Sequence, residues 1–217
     1  MPPERLVRWV ATFAARHGHT VAEPGPAAVV LRGEDGTVAE CHPPFPPMPQ
    51  SAGAEPAGAA DPAGQAALMA AHAAADRTVG VLLVRLGGYA AGVFTGAPPR
   101  LIASKTGSRL VHGRASAGGW SQHRFARRRE NQAAAALRAA AATAVAVIGP
   151  HLDRLDAVVL GGDRRAVAGL PGDPPLRAIL DRATGRFLTT PDPRLAVLTA
   201  TPRQFQAVRI RLTGPGG

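Results

Sequence analysis

The 217-residue chain carries a single cysteine, Cys41, so no disulfide can close within it and a reducing compartment fits. Aromatic residues make up only 4%, too few for a surface that stacks a run of bases. Lysine is nearly missing: of 25 cationic residues only Lys105 is not an arginine. The opening MPPERLVRW lacks the apolar centre of a secretion signal. No uncharged apolar run reaches the ~18 residues of a membrane span. The nearest, 133–148, is shorter and contains Arg138. A soluble, cytoplasmic, monomeric protein without membrane contact is therefore expected. Hydrophobic residues reach 46%, enough for a core, although much of that is alanine.

The most informative absence is acidic. From Arg77 through Arg129 there is no Asp or Glu, while ten cations occur: Arg77, Arg85, Arg100, Lys105, Arg109, Arg114, Arg124, Arg127, Arg128 and Arg129. The other 15 cations equal the 15 acids, so the net charge of +10 belongs to this one span. Such a concentration implies a polyanionic partner.

Apolar spacing predicts a helix over 3–17, from Leu6, Trp9, Val10, Phe13 and Ala14, stopped by Gly18. Strands are expected near 28–32 and 37–41, joined by the turn Glu34-Asp35-Gly36. Residues 43–64 are rich in Pro, Gly and Ala and read as a linker with little power to form a core. A short helix at 66–76 completes a small α+β region, 1–76. The second region, 77–217, opens with strands at 79–86 and 89–95 around Gly87-Gly88 and a third at 100–103. A loop over 104–120 follows, then a long helix from the N-cap candidate Ser121 to about Ile148. Beyond it a strand at 156–160, helices at 164–168 and 175–182, and strands at 195–199 and 205–212 are expected. Three antiparallel strands, a long helix, then alternating strands and helices imply an α/β fold. It would be a mixed sheet of the ribonuclease H-like or release-factor middle-domain kind.

Chemistry is concentrated in RLVHGRASAGGWSQHRFARRRENQ, residues 109–132. Gly113, Gly118 and Gly119 with Ala115 and Ala117 leave a loop almost free of side chains, able to approach another backbone closely. It leads to a helix start, whose free N–H groups favour an anion. Arg124, Arg127 and Arg128 recur at spacings of three and four on one helical face. A small-residue tip on a cationic stem suits a narrow channel walled by phosphates. Gln122 is a neutral amide: no base at neutral pH, but able to orient a water or hydrogen-bond a leaving group. Neighbouring backbone N–H groups would serve a developing oxyanion.

The segment GGWSQHRFARRRE resembles the tip of eukaryotic and archaeal class I release factors, where Gly-Gly-Gln precedes Ser, two residues and Arg-Phe-Ala-Arg. His112-Gly113-Arg114 matches that loop as well. It is more similar still to the actinobacterial Vms-like release factor family, peptidyl-tRNA hydrolases related to the Vms/Ankzf protein of eukaryotic ribosome rescue. There the glutamine follows slightly after the glycine pair with Ser before it, as in Gly118-Gly119-Trp120-Ser121-Gln122. The resemblance spans most of the chain, including CHPPFPP, with its specific residues between Arg109 and Gln132. It implies a peptidyl-tRNA hydrolase acting on the large ribosomal subunit, with ribosomal RNA and peptidyl-tRNA as partners and no cofactor. The implied catalytic group is Gln122, Gly118, Gly119 and Ser121. The implied RNA contacts are Arg109, His112, Arg114, Arg124, Arg127, Arg128 and Lys105. This chain departs from the release factors at Trp120, which stands where their glutamine follows Gly-Gly. Either Gln122 or Trp120 therefore occupies that register.

Other readings are weaker. His112 and His123 flank the loop without Cys, Asp or Glu beside them, so no metal is expected. Cys41-His42 as a thiol nucleophile fails on alternation, since adjacent strand residues face opposite ways. Gly161-Gly162-Asp163 reads as a tight turn rather than a ligand crevice. A ribonuclease H-type nuclease needs carboxylates on its central strands, and the three opening strands have none. A ribosome- or RNA-binding module without chemistry explains the charge but not the Gly-Gly-x-Ser-Gln tip.

Overall fold

A computed structural model describes residues 1–49, 60–85, 87–108 and 121–214, with 121–129 described by their backbone alone. The chain forms two compact units, Met1–Ala75 with Arg203–Gly217, and Asp76–Pro202.

In the first unit, Pro3–Arg5 make a 3-10 turn that runs into α1, Leu6–His17. Leu6, Val10 and Phe13 bury one face of it, and Gly18 ends it at φ 75°, a conformation that costs glycine least. Three strands follow: β1, Thr20–Pro24; β2, Val29–Gly33; and β3, Val38–His42. The expected pair is present, while β1 escaped sequence reading because Glu23 and Pro24 leave it only a short apolar stretch. Helix α2, Pro62–Ala74, starts earlier than its pattern suggests, with Pro62 in its first turn and the Asp61 carboxylate accepting from the amides of Ala63 (3.1 Å) and Gly64 (2.8 Å). The sheet is closed by the last strand of the chain, Arg209–Thr213 (β9), antiparallel to β3. Sequence reading placed that strand in the second region. Its pairing of Ile210 with Cys41 and Leu212 with Ala39 puts it in the first. Part of the supposed linker belongs to this core too. Phe45 and Met48 are buried, Phe45 lies edge-on to Phe205 at 6.2 Å, and its carbonyl oxygen is 2.7 Å from His72 Nε2. Residues 50–59 lie outside the described residues.

The β2–β3 turn ties back to α1. His17 Nδ1 donates to Asp35 Oδ2 at 2.8 Å and the Thr37 amide to Asp35 Oδ1 at 2.9 Å. Those bonds, first His17 and then Thr37, hold the Asp35 carboxyl at about 2 against an ordinary 3.8. A depressed carboxyl pKa stabilises the fold above the unfolded value, and the contribution is lost as pH falls through the folded one. Asp35→Asn should therefore lower the melting temperature of the protein at pH 5–7, and the gap from wild type should close between about pH 4 and pH 2. A gap independent of pH would show that the carboxylate charge plays no part.

The second unit is built on strands β4, Val79–Arg85; β5, Gly88–Thr95; β6, Arg100–Ser108; β7, Ala157–Gly162; and β8, Ala183–Leu188. Their order is β6-β5-β4-β7-β8, antiparallel across β6, β5 and β4 and parallel across β4, β7 and β8. This is the mixed sheet that the element order implied. Helices are α3, Ser121–Ile148; α4, Arg164–Ala168; α5, Pro174–Leu180; and α6, Leu195–Thr199. The turn α7, Pro202–Phe205, leads to β9. The expected strand at 195–199 is α6. A five-residue apolar run has no decisive period, and here its Leu198 packs against Gly92 on the sheet face away from α3. The fifth sheet position is taken by β8, whose Gly185 and Arg186 hide it from pattern reading.

Ala140, Ala141, Ala144, Val147 and Ile148 of α3 pack on Leu82, Val84, Ala91 and Val93. Small residues on the helix allow close approach to a sheet that is apolar on both faces. By length and composition 130–154 is apolar enough to cross a membrane, but this packing accounts for its apolar face. Gly162 has φ 101°, and a Cβ there would collide with the Val84 carbonyl oxygen. Gly36 has φ 84° in open space. Gly162→Ala should therefore cost roughly 2–3 kcal/mol or more, and Gly36→Ala only about 1. Thermal unfolding of the two variants tests this, and equal shifts would refute the collision.

Candidate functional site

The geometry of the second unit follows from its register. Strands β4 and β7 end together, with Val84 beside Gly162, and β6 ends opposite Gly88 at Ser108. Arg85, Ser108 and Gly162 thus mark one rim of the sheet, at the carboxyl ends of its parallel strands. Helix α3 finishes at the other rim, where Ile148 Cγ2 lies 3.1 Å from the position of a Cβ on Gly80. The helix therefore starts on the side of the rim marked by Ser108 and Gly162.

Length then decides what α3 does. Its 28 residues span about 42 Å, whereas the seven residues of β4 span about 23 Å. Among the described side chains of α3, which begin at Glu130, the first buried one is Ala136. The fifteen residues from Ser121 to Ala135, about 22 Å of helix, thus include the part that outruns the sheet. Glu130 and Asn131 are exposed, as a projecting stem requires.

Of the expected catalytic group, Ser121 and Gln122 are the first two residues of α3, so Ser121 begins the helix rather than standing just before it. Gly118 and Gly119 lie outside the described residues, as do Trp120 and the expected RNA contacts Arg109, His112 and Arg114. The backbone of α3 carries Arg124, Arg127 and Arg128 in its first two turns. Lys105 is exposed on edge strand β6, opposite Ala91 and hence on the α3 side of the sheet. That is a correction: 104–108, expected in the loop, continue β6 in register with β5 through Ser108 opposite Gly88. Gly107 there accepts the Tyr89 ring, which no Cβ would allow. The ladder extends as far as its partner strand does, whatever the polarity of Ser104, Lys105 and Thr106.

The cationic span is not one patch. Arg77 precedes β4 and Arg100 begins β6, both at the rim opposite Arg85. Burial lowers the Arg77 pKa, with Asp156 acting the other way. Lys105, by contrast, lies nearer the rim of Arg85 and Ser108, and the backbone positions of Arg124, Arg127, Arg128 and Arg129 fall in the first turns of α3. Elsewhere, burial pushes the Cys41 thiol up to about 11, so it stays protonated, while His42 Nε2 lies 3.4 Å from Glu40 on the other face of β3. Together they make no nucleophile. Gly161-Gly162-Asp163, expected as a tight turn, instead ends β7 at Gly162, and Asp163 Oδ1 caps α4 through the amides of Arg165 (2.7 Å) and Ala166 (3.2 Å). Among the described residues no three His, Cys, Asp or Glu side chains come together as a metal site.

Over residues 77–211 the chain matches the family described as Actinobacteria/chloroflexi VLRF1 release factor. The chain belongs to that family. Among solved structures, an archaeal translation termination factor, aRF1, is similar at 13% identity and a TM-score of 0.41, over 81% of this chain and 51% of that one. The Vms1 mitochondrial localization core is similar at 10% identity and a TM-score of 0.32, over 94% of this chain and 81% of that one. The chain thus spans about half of the archaeal factor. Neither likeness is close enough to transfer a residue or an activity. No curated protein matches. The family match begins where the second unit begins and runs into β9 of the first.

Proposed function

We propose that this release-factor family member is a cytoplasmic, monomeric peptidyl-tRNA hydrolase that works on the large ribosomal subunit and frees nascent peptide from stalled or obstructed ribosomes. The observation that carries the reading is α3: a helix of about 42 Å on strands of about 23–30 Å, with Ser121 and Gln122 at its amino end and arginines along its first turns. A projecting cationic stem that ends in small residues is what access to a deep, phosphate-walled site requires.

In this reading Gln122 positions a water against the carbonyl carbon of the ester joining the peptide to the terminal ribose of tRNA. The water oxygen bonds to that carbon, the bond to the ribose oxygen breaks, and one water proton ends on the ribose hydroxyl. The peptide leaves as a carboxylate, its other proton going to solvent. Backbone N–H groups at Gly118 and Gly119 would face the developing oxyanion, and Ser121 would fix the start of the helix. Arg109, His112, Arg114, Arg124, Arg127, Arg128 and Lys105 would follow RNA phosphates. The chemistry calls on no cofactor or metal, because a neutral amide acts by placement and the RNA site supplies the remaining groups.

The reading is tested by mixing the protein with stalled ribosome complexes, or the large subunits split from them, that carry labelled peptidyl-tRNA. Release of labelled peptide well above the protein-free rate is expected. Binding without release would leave a non-catalytic ribosome- or RNA-binding module.

A further inference from the structure

The acid-free span is not the only source of cations at the projecting end of the second unit. Three arginines from the part of the chain whose charges balance reach the same rim. Arg164 and Arg165 follow β7 by two and three residues, just past Gly162, which lies beside Val84. Arg194 follows Pro193, whose Cδ lies 3.4 Å from the position of a Cβ on Gly88, the residue opposite Arg85 and Ser108, but it precedes α6 on the sheet face away from α3. All three are exposed.

Their surroundings favour a phosphate over an internal partner. The Arg164 guanidinium lies 4.3 Å above the centroid of the Phe187 ring, a cation–π contact that leaves its charge unneutralised. Nearby acids are largely engaged. Asp163 caps α4, and Asp192 sits 3.5 Å from Arg85, whose Nη1 donates to the Thr190 carbonyl at 2.8 Å. Asp173, at the start of α5, is the remaining acid in these connections. No ion pair is formed by Arg164, Arg165 or Arg194 among the described residues. Arg164 and Arg165, at the start of a helix whose Gly169 end meets Leu137 of α3, extend the cationic field of α3 backwards along the molecule.

We propose that Arg164 and Arg165 form a second RNA-backbone contact, made to ribosomal RNA of the large subunit. This rests on the function proposed above. With the tip of α3 at the ester, the rim stands about 20 Å behind it. There it faces the wall of the channel rather than the end of the tRNA. The phosphates of tRNA are the competing source, and the experiment separates the two.

Binding of the full-length protein is measured across a salt series to vacant large subunits, to subunits loaded with peptidyl-tRNA, and to free deacylated tRNA. Arg164→Glu with Arg165→Glu should flatten the slope of log K against log salt by about two on vacant subunits, and weaken binding roughly tenfold. Arg164→Lys with Arg165→Lys should keep most of the slope. Arg164→Gln with Arg165→Gln provides the same comparison should the reversed pair unfold. An unchanged slope in a variant that melts like wild type overturns the contact. A loss seen only with loaded subunits or free tRNA overturns its assignment to ribosomal RNA. If wild type binds and releases peptide while the variants behave like it, the rim alone is wrong. If wild type neither binds nor releases, the reading beneath it falls too.

Discussion

Gln122→Ala is expected to slow peptide release by about 10²–10³-fold while leaving ribosome binding within a factor of two or so of wild type. The size follows from what one positioning or oxyanion-side group typically contributes, a few kcal/mol of barrier. The split between release and binding follows from chemistry. An amide at the first turn of α3 adds no charge to the stem, so its loss leaves the phosphate contacts in place. Gln122→Glu, which keeps the shape but adds a negative charge, should also lose release. Single-turnover release at saturating protein separates the two effects, because a binding defect disappears there and a positioning defect does not. If Gln122→Ala releases peptide as fast as wild type, the catalytic assignment moves to Trp120 or to the backbone at Gly118 and Gly119.

Reversing charge at Arg124, Arg127 and Arg128 together should act on the opposite half of that split. Three lost phosphate contacts flatten the salt slope by about 2.7, since each contributes about 0.9. Between 50 and 200 mM salt the wild type should therefore lose about 40-fold more affinity than the variant does. At low salt the variant should bind at least tenfold more weakly. The substitutions lie in the first two turns of α3, more than about five turns from the Ile148 end that packs on the sheet, so the melting temperature should move little. Co-sedimentation with ribosomes at several salt concentrations measures the slope. A parallel pair of slopes would show that these arginines are a solvated helix face and that the +10 charge acts elsewhere.

The local elements of the second unit were largely legible. The hairpin around Gly87-Gly88, the helix ending at Ile148 and the strand before Gly161-Gly162 each carry punctuation that acts within a few residues. Readings failed where the deciding partner is distant in sequence. LAVLT at 195–199 is as apolar as a strand, yet the fifth place in the sheet went to ATGRFL, which pairs through Leu160 with Phe187 and Gly161 with Leu188. The CHPPFPP segment looked like linker because proline seldom forms a core. Phe45 nevertheless meets Phe205 from the far end of the chain.

The sequence by itself determined the cationic span, the long helix that ends at Ile148 and the family to which the chain belongs, since each is written in consecutive residues. The tertiary structure alone decided three other matters. It returned Arg209–Thr213 to the first unit, because β3 offered an open edge that matched Ile210 and Leu212. It split the cations of one continuous span between opposite rims, because strand direction rather than residue number sets where a side chain emerges. It also brought Arg164 and Arg165 to the rim that α3 outruns, because the carboxyl ends of parallel strands converge on one side of a sheet however far apart they lie in the chain.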